Sequence, residues 1–173
     1  MPPKHILRLL EGGDRRSIGR SEQAAAIVSK SPTLFRELIG GLWSADPMVR
    51  MRAADAVEKA TRKNPELLQP YTGELLGLMV ETEQQEVRWH LAAMVPRLQL
   101  NTKQRNLASS LLIGYLEDRS SIVKTFALQG LAELAQVDPS IRAGVIEILC
   151  EATRSGTAAM KARARKLLAR LEG

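Results

Sequence analysis

The chain has 173 residues, of which 45% are hydrophobic, 25% charged and only 3% aromatic, and it carries a net charge of +6. Its longest uncharged stretch, residues 106–116, falls far short of the roughly 20 apolar residues of a membrane-spanning helix. One cysteine and two histidines leave too few partners for an internal disulfide or a structural zinc site, so neither metal nor cofactor is expected.

The opening run MPPKHILRLLEGG has a brief apolar stretch broken by Arg8 and no small-residue cleavage pattern after it, which predicts a cytoplasmic protein. The charge is uneven. Residues 1–20 hold five Lys/Arg and two acids, and residues 154–173 hold six Lys/Arg and one acid, whereas the middle is nearly balanced.

In chain order, residues 17–30 predict a first, unpaired helix with Ala24, Ile27 and Val28 on one side. Ser31-Pro32, Asp46-Pro47, Asn64-Pro65 and Asp138-Pro139 each place a side-chain acceptor before a proline. That is the chemistry of a helix start, since the acceptor satisfies an orphan N–H and proline has none to lose. Asn101-Thr102 predicts another start, and Ser155-Gly156 a break. Strand alternation is missing, so the chain reads as all-α.

A stripe at offsets 0, 4, 7, 8 and 11 recurs four times. It comprises Val49, Ala53, Ala56, Val57 and Ala60; Val87, Leu91, Met94, Val95 and Leu98; Val123, Ala127, Gly130, Leu131 and Leu134; and Met160, Ala164, Leu167, Leu168 and Leu171. The copies are 38, 36 and 37 residues apart. Leucine-rich partner helices precede each one, at Leu34–Leu42, Leu75–Met79, Leu107–Leu112 and Ile141–Leu149. Helical pairs at such a period bury their stripes against neighbouring pairs, as in an α-solenoid. Pro96 should end or bend its helix early.

Segments such as LIGGLWSADPMVRMRAADAV and LLIGYLEDRSSIVKTFALQGLAEL resemble HEAT repeats. The resemblance implies a right-handed α-solenoid of about four antiparallel helix pairs, at residues 31–63, 64–100, 101–137 and 138–173, behind an N-terminal capping helix or half-repeat in residues 1–30. It also implies that the second helices line a concave groove. Opposite the buried stripes stand Met51, Asp55, Glu58 and Arg62; Trp89, Ala93, Pro96 and Leu100; Thr125, Gln129 and Ala132; and Ala162, Lys166 and Ala169. At the border are Arg52, His90, Phe126 and Arg163.

On this reading the chain is a non-catalytic scaffold that binds a protein partner through Met51, Trp89 and Phe126 as apolar anchors, with Arg52, His90 and Arg97 as polar contacts. Two placements of Trp89 stay open, exposed in the groove or packed between repeats near Met51 and Phe126. The column Arg50, Arg88, Lys124 and Lys161 is expected to pair with turn acids such as Asp46, Glu83, Glu86 and Asp118. The C-terminal cluster Lys161, Arg163, Arg165, Lys166 and Arg170 is either a solvated cap or a patch for an acidic or nucleic-acid ligand. No phosphate loop, metal cluster or activated nucleophile stands out, so no enzymatic activity is expected. The alternative is a nucleic-acid-binding protein, at the extreme one similar to the alkylpurine DNA glycosylases. Those are built on HEAT-like repeats, and Trp89, Asp55 and Arg52 or Arg97 would then be the candidate set.

Overall fold

The computed structural model describes residues 5–173. Among them it is all-helical, with nine α-helices and no strand. The helices are α1 (Ser21–Val28), α2 (Pro32–Gly40), α3 (Pro47–Thr61), α4 (Thr72–Glu81), α5 (Gln85–Met94), α6 (Thr102–Tyr115), α7 (Ser121–Val137), α8 (Pro139–Ser155) and α9 (Ala158–Glu172). They fall into two compact units, the first ending at Tyr71 and the second being Thr72–Gly173.

Most helix starts follow the capping chemistry in the sequence. Asp46 accepts from the Met48 amide at 2.8 Å, Asp138 from Ser140 at 3.1 Å, and Ser31 from Leu34 at 3.5 Å. Asn101 and Gln104 form a reciprocal capping box at the head of α6, each side chain bonded to the other's backbone amide at 2.9 Å. Ser120 and Thr157 cap α7 and α9.

Two expected boundaries move. Residues 17–30 yield only α1, Ser21–Val28, because Gly19 adopts the left-handed conformation at φ 57° and holds the preceding residues in a turn. Asn64-Pro65 opens a 3-10 segment, Pro65–Tyr71, and the α-helix begins only at Thr72. Pro70 lacks the N–H that an α-helical turn would need there. Pro96 acts as its chemistry dictates: α5 stops at Met94 and passes into a 3-10 turn, Val95–Arg97.

In the first unit α3 packs against both α1 and α2, with a 3-10 turn, Ile6–Leu9, against α2. Ile6, Leu10, Val28, Phe35, Leu38, Ala53 and Val57 are buried in its core. Phe35 meets Tyr71 at a ring-centroid distance of 6.0 Å, which pins the end of the Pro65–Tyr71 segment to α2.

In the second unit α7 packs against α5 on one side and α9 on the other. The helices α6 and α8 lie against α7, and α8 also lies against α9. The stripes of α5 and α7 are wholly buried. In α9, Ala164, Leu167 and Leu171 are buried, while Met160 and Leu168 are half-buried. Small residues set the helix separation. A Cβ on Gly130 would stand 2.8 Å from the Ala92 carbonyl oxygen and 3.1 Å from Leu112, so α7 can approach α5 this closely only with glycine there. Alanine, leucine and valine fill the core, and few aromatics are needed.

Candidate functional site

The residues expected to line one groove are divided between the units, Met51 and Arg52 in the first and Trp89, His90, Arg97 and Phe126 in the second. Their environments differ sharply.

Arg52 is not a surface contact. It is 2% exposed, and its guanidinium donates to the backbone carbonyls of Leu10 (2.8 Å), Gly12, Asp14 (2.8 Å) and Ser17 (3.0 Å). Its planar fork makes four bonds to an irregular segment, residues 10–17, which it gathers around itself. Gly19 closes the loop, and a Cβ there would stand 3.0 Å from the guanidinium carbon.

Asp55 is also engaged. Its Oδ2 accepts from the Ser21 hydroxyl and bridges to Lys59 Nζ at 2.8 Å, and Lys59 reaches Glu22 at 3.3 Å. A serine, an aspartate and a lysine in contact invite a catalytic reading, but the chemistry runs the other way. Burial works to lower the Lys59 pKa, yet the bonds and charges of Asp55 and Glu22 outweigh it and hold the ammonium above its ordinary value. A lysine kept protonated is no base, and the Ser21 side chain is fully buried. The cluster ties α1 to α3.

In the second unit His90 is buried, and its Nδ1 faces the Glu86 carbonyl one turn back. A carbonyl can only accept, so Nδ1 carries the proton. Trp89 is half-buried, neither fully open nor sealed between helices, and its ring lies 5.4 Å from that of His90 at 39°. Arg97 is half-buried in the turn after α5. Phe126 on α7 is half-buried beneath Arg163 of α9, the guanidinium 5.9 Å from the ring centroid. Arg163 also donates to Gln129 at 2.8 Å, and Gln129 donates to Glu133 at 2.6 Å. The structure thus brings into contact Phe126 and Arg163, two of the border positions of successive helices.

Of the remaining C-terminal basic residues, Lys161 is half-buried and Arg165, Lys166 and Arg170 are exposed along α9. The face opposite the stripe is more covered than helical spacing alone suggests. Glu58, Leu100, Thr125 and Ala132 are buried, whereas Ala162, Lys166 and Ala169 of α9 are open. In the second unit the reason is position in the layer: α7 has a helix on either side.

The expected basic column is structural at Arg88, whose partner is one of the expected turn acids but not the nearest in sequence. Instead of Glu83 or Glu86, Arg88 reaches Asp118 of the following turn at 2.6 Å, while donating to the Thr82 carbonyl at 2.8 Å. Its guanidinium also lies 5.3 Å from the centroid of Tyr115. Tyr115 donates to the Met79 carbonyl at 2.8 Å, and burial pushes its phenol well above the usual range. Burial also works to raise the Asp118 pKa, but the Ser120 amide and Arg88 more than offset it and hold the carboxyl below its ordinary value. Arg50 donates to the carbonyls of Ser44 and Ala45.

Trp43, which nothing in the periodicity marks out, is 43% exposed on a 3-10 turn, Gly41–Trp43. The Gly40-Gly41 pair just before it is the available signal, since it ends α2 and leaves the next residues off the helical stripe.

Among the described residues no group of three or more His, Cys, Asp or Glu side chains is placed to hold a metal ion, and no helix is long and apolar enough to cross a membrane. Compared with known proteins, the chain matches no family model, no curated protein sequence and no solved structure.

Proposed function

We propose that this protein is a non-catalytic, HEAT-like repeat scaffold that binds a protein partner on the face shared by α5, α7 and α9. The observation that carries the reading is the half-buried set Trp89, Phe126 and Arg163. Two aromatic rings and an arginine that stacks on one of them are the side chains that dominate binding energy at protein interfaces. The recurring stripes and the packing of α7 between α5 and α9 support a stacked-repeat architecture. The engagement of Ser21, Asp55, Lys59 and Arg52 in structural bonds weighs against catalysis and against the glycosylase-like set. Arg52 and His90, both buried, leave the list of partner contacts, Met51 stays half-buried on α3 of the first unit, and Arg163 joins the set on the second.

The test is affinity capture from a lysate with the wild-type chain and with the Trp89→Ala and Phe126→Ala variants. Loss of the same captured protein in both variants, with melting temperatures within a few degrees of wild type, is the expected result. Unchanged capture alongside lowered melting temperatures would assign both rings to packing alone.

A further inference from the structure

The second unit has a cleft of about 530 Å³ between the end of α6, the first half of α7, the second half of α8 and the start of α9. Its apolar lining includes the half-buried Leu116, Ile148 and Met160, with the buried Leu128 and Ala152 behind them. This volume falls within the range of roughly 300–1,000 Å³ typical of ligand pockets.

The neighbouring gap explains why the cleft is open. Tyr115 occupies the repeat position taken by Met79 in α4 and by Ala152 in α8, 36 residues before it and 37 after it. Between α4 and α6, the Tyr115 ring lies beneath Arg88 and its hydroxyl reaches the Met79 carbonyl. One repeat later, Lys124 stands where Arg88 stood, and Ala152 replaces the tyrosine. The ion pair is missing as well, because the position of Asp118 falls at Ser155. The cleft is therefore a gap that lacks the aromatic ring of its neighbour and keeps a cation at its edge.

The rim adds charge. Glu117 and Glu147 line the cleft from opposite sides, and among the described residues neither carboxylate has a hydrogen-bond or ion-pair partner. Glu151, also on the rim, is bound by Arg154 at 2.8 Å and by the Ser155 hydroxyl at 2.8 Å. Ser121 and Thr157 hydroxyls, 2.7 Å apart, brace α7 to the cap of α9 beside the mouth.

We infer that this cleft is a docking site for a basic peptide segment that inserts a tyrosine or phenylalanine ring. The ring would take the place that Tyr115 fills in the preceding gap, against Leu116, Ile148 and Met160, with Lys124 above it as Arg88 lies over Tyr115. Flanking lysines or arginines would meet Glu117 and Glu147. The site lies on the turn edge of the unit and does not depend on the partner proposed for the face of α5, α7 and α9.

The probe is a tyrosine pentapeptide with two lysines on each side, titrated into the isotope-labelled full chain and followed by amide chemical shifts. Saturable shifts centred on Leu116, Ile148, Thr157 and Met160 are expected. Binding should be at least tenfold weaker with alanine in place of the tyrosine, and with glutamates in place of the lysines. Ala152→Tyr fills the gap from within and should weaken binding at least tenfold while keeping or raising the melting temperature. Glu117→Lys combined with Glu147→Lys leaves the cleft walls intact and should weaken binding by a similar factor. No saturable shift, equal binding of the alanine peptide, or shifts centred outside the cleft would overturn the assignment.

Discussion

Arg52 on α3 and Arg88 on α5 are each largely withdrawn from solvent, yet the two units satisfy them with different chemistry. The first unit surrounds Arg52 with four backbone carbonyls from an irregular loop and no carboxylate among them. The second meets Arg88 with one carbonyl, the Asp118 carboxylate and the face of Tyr115. Carbonyl dipoles do not titrate, so the first arrangement is blind to pH across the carboxylate range. The second contains an acid that does titrate. A buried guanidinium thus needs its donors filled, and it does not need a formal counter-charge.

The largest way to break this contrast is Arg52→Ala. It removes the donors that hold residues 10–17 together and should cost roughly 3 kcal/mol or more, read from urea unfolding. Amide exchange should then accelerate in α1 and leave α7 protected. Equal loss of protection in α7 would contradict a local role. Arg88→Ala comes next, at about 2 kcal/mol, because it leaves the Asp118 carboxylate largely buried without its partner.

The same pair sharpens the contrast through pH. A carboxyl whose folded pKa lies below its unfolded value contributes stability that is complete above the ordinary aspartate range. That stability fades as pH falls through the folded value. Between pH 5 and pH 3 the difference between wild type and Asp118→Asn should therefore shrink. The difference between wild type and Arg52→Ala should stay constant over that window.

Gly19→Ala is smaller, about 1–2 kcal/mol, since an L-residue is strained at φ 57° and its Cβ would press on the Arg52 guanidinium. Smallest is Arg154→Ala. Its partner Glu151 is exposed and screened, and the melting temperature should not move measurably.

The helical stripes were legible because burial follows the 3.6-residue period. Val87, Leu91 and Met94 could be placed on one side of a helix from spacing alone, as could Val123, Ala127 and Leu131. Caps at Asp46, Asn101 and Asp138 were legible because their chemistry is local. Asn64-Pro65 misled because its signal is identical to theirs, and the deciding residue, Pro70, stands five positions beyond it.

The environment of Arg52 was out of reach for a different reason. Its partners are main-chain oxygens 35 to 42 residues away, and a carbonyl has no letter in a sequence. Of the expected site, Trp89 and Phe126 remain as half-buried rings, and Arg163, expected both at the groove border and in the terminal basic cluster, lies over the ring of Phe126. Glu58 and Thr125 show that helical spacing names the face opposite a stripe without saying whether another helix covers it. The cleft at Ala152 could have been suspected from the alignment of the repeats, in which alanine follows a methionine and a tyrosine. Only the helix packing shows that nothing else fills the gap.

The loop around Arg52 has a further consequence during synthesis. A ribosome makes residues 5–20 before α3, so the side chain that gathers the Leu10, Gly12, Asp14 and Ser17 carbonyls comes 35 to 42 residues after them. Until α3 leaves the exit tunnel, this early segment lacks the donors that shape it, and Ile6 and Leu10 lack the core that covers them in the finished unit. Residues 10–17 therefore take their final shape only once residue 52 has emerged, although they are made well before it.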